Sequence, residues 1–232
     1  MDALSFTPVG RVQTCYPDKF GVPRQSGLAP AAWGRLVFEP EFRREEAVRG
    51  LEEFSHLWLV FLFHGVTDGE TRLSVRPPRL GGNEKLGVFA TRSPFRPNRL
   101  GLSVCKLEAI EREGDDSPVL LLSGVDLVDG TPVFDVKPYL PYADCIDEAR
   151  GGFAAERPTE LEVVIDEAAR NAFGELDANQ QKVIRETLRW DGRPAFHEEE
   201  RVYYLRVENL DVAWTVTEGA CHVMGIKRVG AG

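Results

Sequence analysis

Several motifs that mark common enzyme classes are missing from this sequence. It has no GxGxxG dinucleotide fingerprint, no GxxxxGK[ST] phosphate loop, no HExxH zinc motif and no GxSxG serine elbow. Their absence removes the usual signatures of Rossmann-type cofactor binding, P-loop nucleotide hydrolysis, zinc proteolysis and serine hydrolysis. Any chemistry must therefore come from a less common arrangement.

Cysteine and long apolar runs are also scarce. The four cysteines of the 232-residue chain are Cys15, Cys105, Cys145 and Cys221, which lie far apart and form no CxxC pair. This spacing argues against a zinc ribbon or a disulfide framework and favours reduced thiols. The longest apolar run, LWLVFLF, is too short to cross a bilayer, and the first residues do not resemble a signal peptide. We expect a soluble cytoplasmic protein that binds no metal ion.

Positive charge is in deficit overall but concentrated in one segment. Lys and Arg number 28 against 37 Asp and Glu, and this net charge of −9 argues against a protein that coats nucleic acid by bulk charge. Residues 72–106 nevertheless hold eight basic residues and one acid, a charge of +7 that leaves −16 for the remainder. Here GVFATRSPFRPNRLGLS, which begins at residue 87, carries Arg92, Arg96 and Arg99 on a loop stiffened by two prolines. Such a loop loses little backbone entropy on binding an anion; the alternative is a solvated loop paired with acids elsewhere.

The first two-thirds of the chain shows the pattern of β-structure. Short apolar or alternating runs recur between clusters of Gly, Pro and Asp, which is typical of an antiparallel barrel or sandwich. No repeated strand–turn–helix pattern occurs, so a doubly wound sheet is disfavoured. We predict strands at 34–38, 57–63, 86–91, 102–110, 119–125 and 133–136.

The pattern changes near residue 147, after which helix signals appear. We predict a strand at 160–166, helices at 167–176 and 179–190, and a hairpin that joins 203–207 to 212–216. These elements indicate a small α+β domain. We therefore divide the chain into an N-terminal domain, 1–150, and a C-terminal domain, 151–232.

A second polar segment, DLVDGTPVFDVKPYLPYAD, starts at residue 126 and alternates acids with apolar residues. Asp126, Asp129 and Asp135 would serve a ligand if their carboxylates faced it. The alternative is a plain turn between two strands, since Gly130 after Asp129 is favourable turn chemistry. Spacing leaves both interpretations open.

Read together, several long segments resemble one family. They occur in the order FGVPRQSGL, VRGLEEFSHLWLVFLFH, VRPPRLGG, GVFATRSPFRPNRLGLS, DLVDGTPVFDVKPYLPYAD and DGRPAFHEEERVYYLRVENLDVAWTV. This series resembles the bacterial TrmO family, also called TsaA or YaeB, whose members are tRNA adenosine N6-methyltransferases acting on threonylcarbamoyladenosine at position 37. The resemblance covers nearly the whole chain. One departure is Arg99, which stands where the family usually has proline and adds a positive charge.

The resemblance implies a fold, a cofactor and partners. It implies a mainly β protein whose N-terminal antiparallel β-barrel, unlike a Rossmann domain, binds S-adenosylmethionine, followed by a small α+β domain. It also implies a homodimer with the cofactor near the subunit interface, and a tRNA carrying threonylcarbamoyladenosine as substrate. By position, the cofactor-binding residues are Pro23, Arg24, Gln25, His64, Gly65, Arg92, Leu102, Asp126, Leu127, Val128, Asp129 and Gly130.

The chemistry of methyl transfer indicates what the protein must supply. Transfer from a sulfonium is an in-line displacement that needs no metal and depends on positioning. In threonylcarbamoyladenosine the acceptor N6 belongs to a urea, and its proton must leave to a carboxylate, a histidine or water. Asp126, Asp129, Asp135 and His64 are available bases, and the residues leave the choice among them open.

Roles for the remaining polar residues follow from charge and position. We predict Asp135, Lys137 and Tyr139 as catalytic residues. The threonyl carboxylate of the substrate is an anion that Arg92 or Arg96 would bind. The tRNA-contacting residues are predicted to be Arg96, Asn98 and Arg99.

Two alternatives remain at this level. The barrel could grip single-stranded RNA without catalysis, as oligonucleotide-binding folds do. Against this, Phe95 is the one aromatic that we find among the loop arginines. The other alternative is a hydrolase, or a methyltransferase of the same fold that acts on a different substrate, because fold does not fix function.

Overall fold

The structure is a computed structural model that describes residues 5–67, 70–193 and 201–230. Its first eight strands are β1 (Gly10–Thr14), β2 (Trp33–Phe38), β3 (His56–Leu62), β4 (Ser74–Val75), β5 (Leu86–Gly87), β6 (Leu100–Glu111), β7 (Val119–Ser123) and β8 (Thr131–Pro138). Of these, β4 and β5 form a separate two-stranded sheet. The later strands are β9 (Glu162–Ile165), β10 (Tyr203–Val207), β11 (Leu210–Thr217) and β12 (Ala220–Arg228). The helices are α1 (Glu45–Val48), α2 (Pro141–Asp144), α3 (Glu167–Gly174) and α4 (Ala178–Leu188).

Six strands close into a barrel in the order β1-β2-β7-β6-β3-β8. Every neighbouring pair runs antiparallel. Side chains alternate across the wall as the pleat requires, so Leu57, Leu59 and Phe61 of β3 fill the interior while their neighbours face outwards. The predicted antiparallel barrel is confirmed, and closure leaves none of its six strands as an open edge.

The predicted strands of the N-terminal part need two corrections. The predicted strand at 86–91 shrinks to the two residues of β5, because the chain turns into a 3-10 helix at Val88–Ala90 whose Val88 is buried. Strand β1 was not predicted at all. Its five residues alternate between buried and exposed, but two of the three buried positions are Gly10 and Thr14, so Val12 is the one large apolar residue in the pattern.

The second part of the molecule, called here the C-terminal unit, consists of β9 to β12 with α3 and α4. Its sheet has the order β10-β11-β12-β9, with β9 parallel to β12. The predicted hairpin is confirmed by β10 and β11, and β12 extends it as a strand that the sequence pattern did not indicate. Helix α4 buries Val183, Ile184, Thr187 and Leu188, the face expected for it.

The barrel and the C-terminal unit pack directly on each other. The Tyr16 hydroxyl of the barrel lies 2.8 Å from Thr187 Oγ1 of α4, and the Trp33 indole donates to Glu208 Oε1 at 2.7 Å. Phe20 stacks on Tyr203 with ring centroids 6.1 Å apart. Buried side chains of both parts form one continuous hydrophobic cluster. Among the described residues, no helix is long and apolar enough to cross a membrane.

Candidate active site

One end of the barrel, called here the rim, gathers the loops that carry the predicted site. Strands β1, β3 and β7 end there, and β2, β6 and β8 begin there, because neighbouring strands are antiparallel. The rim therefore receives three connections, 15–32, 63–99 and 124–130. Nearly all of the predicted cofactor and tRNA residues lie on these connections, although Pro23 and Gly130 are more than 100 positions apart in sequence.

Hydrogen bonds from side chains and from the backbone join these three connections to one another. Arg92 Nη1 donates a hydrogen bond to Gln25 Oε1, which ties the basic loop to the first connection. The Gly27 amide donates to Gly124 O at 2.8 Å, which ties the first connection to the third. His64 Nδ1 lies 3.4 Å from Thr131 Oγ1, at the start of β8. The structure thus brings together at the rim the three connections on which most of the predicted cofactor residues lie.

The stretch 126–130 is held firmly against the end of β1. Asp129 Oδ1 accepts the Thr14 amide at 2.8 Å, and Leu127 O accepts the Thr14 hydroxyl at 2.9 Å. Gly130, at φ 75°, adopts a left-handed conformation that favours glycine. The turn interpretation of this stretch therefore holds for Asp129, whose carboxylate is engaged in fixing the backbone and is less available as a base.

Asp126 has a different environment from Asp129. Its carboxylate oxygen Oδ1 is enclosed and has no hydrogen-bond partner among the described residues. Burial raises the pKa of the Asp126 carboxyl to about 6, against opposing effects of the Ser103 hydroxyl and the positive charge of Arg92. Burial and the nearby Asp126 also raise the pKa of the Cys105 thiol. An enclosed acceptor beside an arginine is the most chemically distinctive feature of the rim.

The basic loop presents its arginines in different ways. Arg92 is exposed apart from its contact with Gln25, whereas Arg96 is half-buried and donates to Thr91 O at 3.0 Å. Arg99 Nη1 donates to Val66 O, which links the loop to the segment after β3. The Arg96 bond therefore closes the loop on itself and the Arg99 bond holds its end, while Arg92 stays exposed.

Position 99, where the resemblance led us to expect proline, has an unusual backbone conformation. Asn98 and Arg99 both adopt positive φ values, 62° and 51°. Asparagine tolerates this region, but a proline ring fixes φ near −65° and could not occupy position 99 in this turn. The chain therefore turns here in a conformation that a proline at position 99 would not allow.

The predicted catalytic residues lie away from the rim. Asp135 and Lys137 of β8 and Tyr139 just after it are four, six and eight residues from Thr131, about 13, 20 and 26 Å at 3.3 Å per residue. Asp135 and Lys137 form an exposed ion pair at 2.9 Å. Within one chain, the structure does not bring these three side chains into the rim cluster.

The outer wall of β6, β3 and β8 connects the two groups of residues. Leu102, Val60 and Asp135 occupy one row across these strands, so Leu102 and Asp135 are two strand spacings apart, about 10 Å. Leu102 is 52% exposed and Leu100 41% exposed. This wall, called here the outer face, is thus an apolar surface that runs from the rim past Asp135.

Two residues that the sequence did not single out, Phe89 and Ser103, are notable in the structure. Phe95 is covered by the Arg72 guanidinium, 4.4 Å above its ring, so it is a poor stacking platform. Phe89 is instead 74% exposed and lies three positions before Arg92 in the chain. Its position two residues after Gly87 in the quoted motif was the available signal. Ser103, which faces Asp126, gave no signal because serine in a strand is commonplace.

Comparison with known proteins identifies relatives along the full length. The N-terminal domain profile of tRNA-methyltransferase O matches residues 11–145, and the TrmO C-terminal domain profile matches residues 158–229. The tRNA (adenine(37)-N6)-methyltransferase of Escherichia coli (strain K12) is 40% identical over 234 positions, covering 98% of this chain and 99% of that protein. RcsF of Pseudomonas aeruginosa, with an inferred S-adenosylmethionine-dependent methyltransferase activity, is 47% identical over 216 residues, 90% of this chain and 91% of its own.

A solved structure agrees with these sequence relatives. The crystal structure of TrmO from Pseudomonas aeruginosa has a TM-score of 0.79 at 38% identity and covers 97% of this chain and 99% of that one. A closed antiparallel barrel with its rim loops drawn together, backed by a small α+β unit, defines a β-barrel protein of the tRNA-methyltransferase class. The chain belongs to the tRNA-methyltransferase O family, because the two domain profiles of that family together match most of its length.

Proposed function

We propose that this protein transfers the methyl group of S-adenosylmethionine to N6 of the adenosine at position 37 of tRNA, with threonylcarbamoyladenosine as the acceptor. The observation that carries the proposal is the convergence of three distant connections at the rim, where Arg92, Gln25 and Asp126 meet. The Escherichia coli relative, aligned over nearly the whole chain, is named for methylation of the same atom.

The rim residues fit S-adenosylmethionine by their chemistry. The molecule carries a carboxylate, an ammonium group, hydroxyls and a planar base. Arg92 and Gln25 supply donors for an anion, and Asp126 supplies an enclosed acceptor with an unused oxygen. When bound, S-adenosylmethionine supplies an electrophilic sulfonium methyl group. The residues proposed to hold it are Pro23, Arg24, Gln25, His64, Gly65, Arg92, Leu102, Asp126, Leu127, Val128, Asp129 and Gly130.

The acceptor nitrogen must lose a proton, and the structure narrows the candidate bases. Asp129 is engaged with the Thr14 amide. Asp126, with a pKa of about 6, is mostly ionised at neutral pH and is basic enough to accept a proton. His64 is exposed at the rim, and Asp135 lies about 10 Å across the outer face from Leu102. We favour Asp126 for this step within one chain.

A second copy of the chain would complete the site. The outer face is apolar and carries the oppositely charged pair Asp135–Lys137, so it is suited to self-association about a twofold axis. A face for RNA would instead be basic. We propose a homodimer through this face, in which Asp135, Lys137 and Tyr139 of one chain approach the rim of the other and act as catalytic residues there.

The proposed tRNA contacts follow from the charge of the connection 63–99, which joins β3 to β6 at the rim. The +7 segment at 72–106 is the positive region of an otherwise acidic chain, and Arg72, Arg76 and Lys85 within it are exposed. We propose that Arg96 binds the threonyl carboxylate, that Asn98 and Arg99 contact the RNA backbone, and that Phe89 stacks on an unpaired base.

The proposed function also suggests a role for each domain and a compartment for the protein. We propose residues 1–150 as the cofactor-binding domain and residues 151–232 as the accompanying domain. Since its substrate is tRNA, the proposed site of action is the cytoplasm.

The decisive experiment is nucleoside mass spectrometry of tRNA incubated with the protein, S-adenosylmethionine and a chelator. We expect a mass increase of one methyl group on threonylcarbamoyladenosine and none on adenosine at position 37 of an unmodified transcript. Arg92→Ala should lose activity, whereas the control Arg49→Ala, an exposed arginine away from the rim, should keep it. Equal methylation of both tRNAs would contradict the proposed substrate, and absence of cofactor binding would contradict the enzyme.

A further inference from the structure

The C-terminal unit touches the loop proposed to hold the cofactor. The indole Nε1 of Trp190, just after α4, donates to Leu28 O at 2.6 Å. From the loop itself, Arg24 Nη2 donates to Arg193 O at 3.0 Å. These two hydrogen bonds hold the two ends of the segment 24–28. The segment contains Gln25, which accepts the hydrogen bond from Arg92.

The gripping turn is itself stiff. Asp191 adopts a left-handed φ of 47°, and its Oδ1 and Oδ2 accept from Arg193 Nε and Nη2 at 2.8 and 2.7 Å. Burial opposes ionisation of Asp191, but the hydrogen bonds from Arg193 outweigh it and hold the pKa of this carboxyl below its ordinary value. The Arg193 carbonyl that receives Arg24 is therefore presented by a fixed, two-pronged ion pair.

The loop fits closely against the unit and has little regular structure of its own. Gly21, at φ 88°, leaves no room for a side chain, since a Cβ there would lie 2.3 Å from Leu205 Cδ1. The segment 24–28 consists of turns and bends rather than helix or strand. Its position therefore depends on the groups that hold its backbone, among them Trp190, Arg193 and Gly124.

We propose that Trp190 and the 191–193 turn are positioning residues for the cofactor loop, so that the C-terminal unit contributes to cofactor affinity. They act through Leu28 and Arg24, and set the place of Gln25 beside Arg92. The proposal rests on the proposed function, because it takes the rim as the S-adenosylmethionine site.

The test compares two tryptophans that make equally short bonds between the barrel and the C-terminal unit. Trp190→Phe removes the donor to Leu28, whereas Trp33→Phe removes the donor to Glu208, at 2.7 Å, without touching the loop. Loss of one hydrogen bond corresponds to about a fivefold change in affinity. For Trp190→Phe we expect Kd and KM for S-adenosylmethionine to rise about fivefold, with kcat and KM for tRNA within twofold of wild type.

Hydrogen exchange of the cofactor-free protein supplies a second readout. Amides in 24–28 should exchange about fivefold faster in Trp190→Phe and at the wild-type rate in Trp33→Phe. Asp191→Asn loosens the turn but keeps Trp190. Like Trp190→Phe, it should speed exchange in 24–28 and weaken cofactor binding. The inference is overturned if the two tryptophan variants behave alike in both measurements. If wild type shows no saturable cofactor binding but Trp190→Phe still speeds exchange, the proposed function is wrong, whereas the role of Trp190 in holding segment 24–28 is supported.

Discussion

Replacing Asp126 by Asn tests the enclosed carboxyl directly. The neutral amide has nearly the same shape, so the main change is removal of a titrating charge. The folded-state pKa of about 6 lies roughly two units above the ordinary 3.8, and each unit corresponds to about 1.4 kcal/mol, giving about 3 kcal/mol in total. Folding raises the pKa of the Asp126 carboxyl, so as the pH rises the folded state keeps this proton after the unfolded state has lost it. Its contribution to the free energy of unfolding is present below pH 4 and lost as the pH rises to 6.

The assay is urea denaturation of wild type and Asp126→Asn at several pH values between 5 and 7.5. Over this window we expect the variant to gain roughly 1.5 kcal/mol relative to wild type, since about half of the effect has already occurred below pH 5. Comparison at each pH cancels the titration of the carboxyls that both proteins share. A difference in unfolding free energy that is constant from pH 5 to 7.5 would refute the enclosed, raised carboxyl.

The same variant also reports on catalysis. If Asp126 accepts the N6 proton, Asp126→Asn should lower kcat by at least a hundredfold, the usual range for loss of a general base. In wild type, kcat should fall below pH 6 as the carboxyl takes up a proton. If the variant retained its kcat, Asp126 would not be the base, and His64 or Asp135 would be the remaining candidates.

Four further predictions concern the rim and the outer face. Arg92→Ala should weaken S-adenosylmethionine binding at least tenfold in calorimetry, and unchanged affinity would remove Arg92 from the site. Arg96→Ala should abolish the preference for threonylcarbamoyl-modified tRNA, whereas Arg99→Ala should lower the salt slope of tRNA binding by about one unit; normal behaviour of both variants in a salt titration would leave the loop merely solvated. Phe89→Ala should reduce tRNA affinity about fivefold or more by filter binding and leave cofactor affinity unchanged, and equal tRNA affinity would count against stacking. Val60→Asp should turn the proposed dimer into a 25.9 kDa monomer in light scattering, and a monomeric wild type would disprove the interface.

Local pattern predicted much of the fold because strand alternation is a local property. The runs that became β2, β3, β6, β7 and β8 showed their apolar faces in the sequence, and α4 showed its buried face. The prediction failed at 86–91, where the chain bends into a 3-10 helix after two residues. An apolar run there has the same pattern whether its side chains line a strand or a single turn, and only the structure shows the turn, in which Val88 is buried.

The sequence by itself determined the family, the antiparallel barrel, and which residue types gather around the site, since long motifs and charge segregation are written in the order of residues. Only the tertiary structure decided how those residues meet. It enclosed Asp126 between Ser103 and the Arg92 region, left Asp129 holding Thr14, and placed Asp135, Lys137 and Tyr139 along an outer face. It also seated Trp190 on the rim loop, more than 160 positions away. The physical reason is that burial, hydrogen-bond satisfaction and pKa depend on neighbours in space, and here those neighbours come from separate segments that only barrel closure and domain packing bring together.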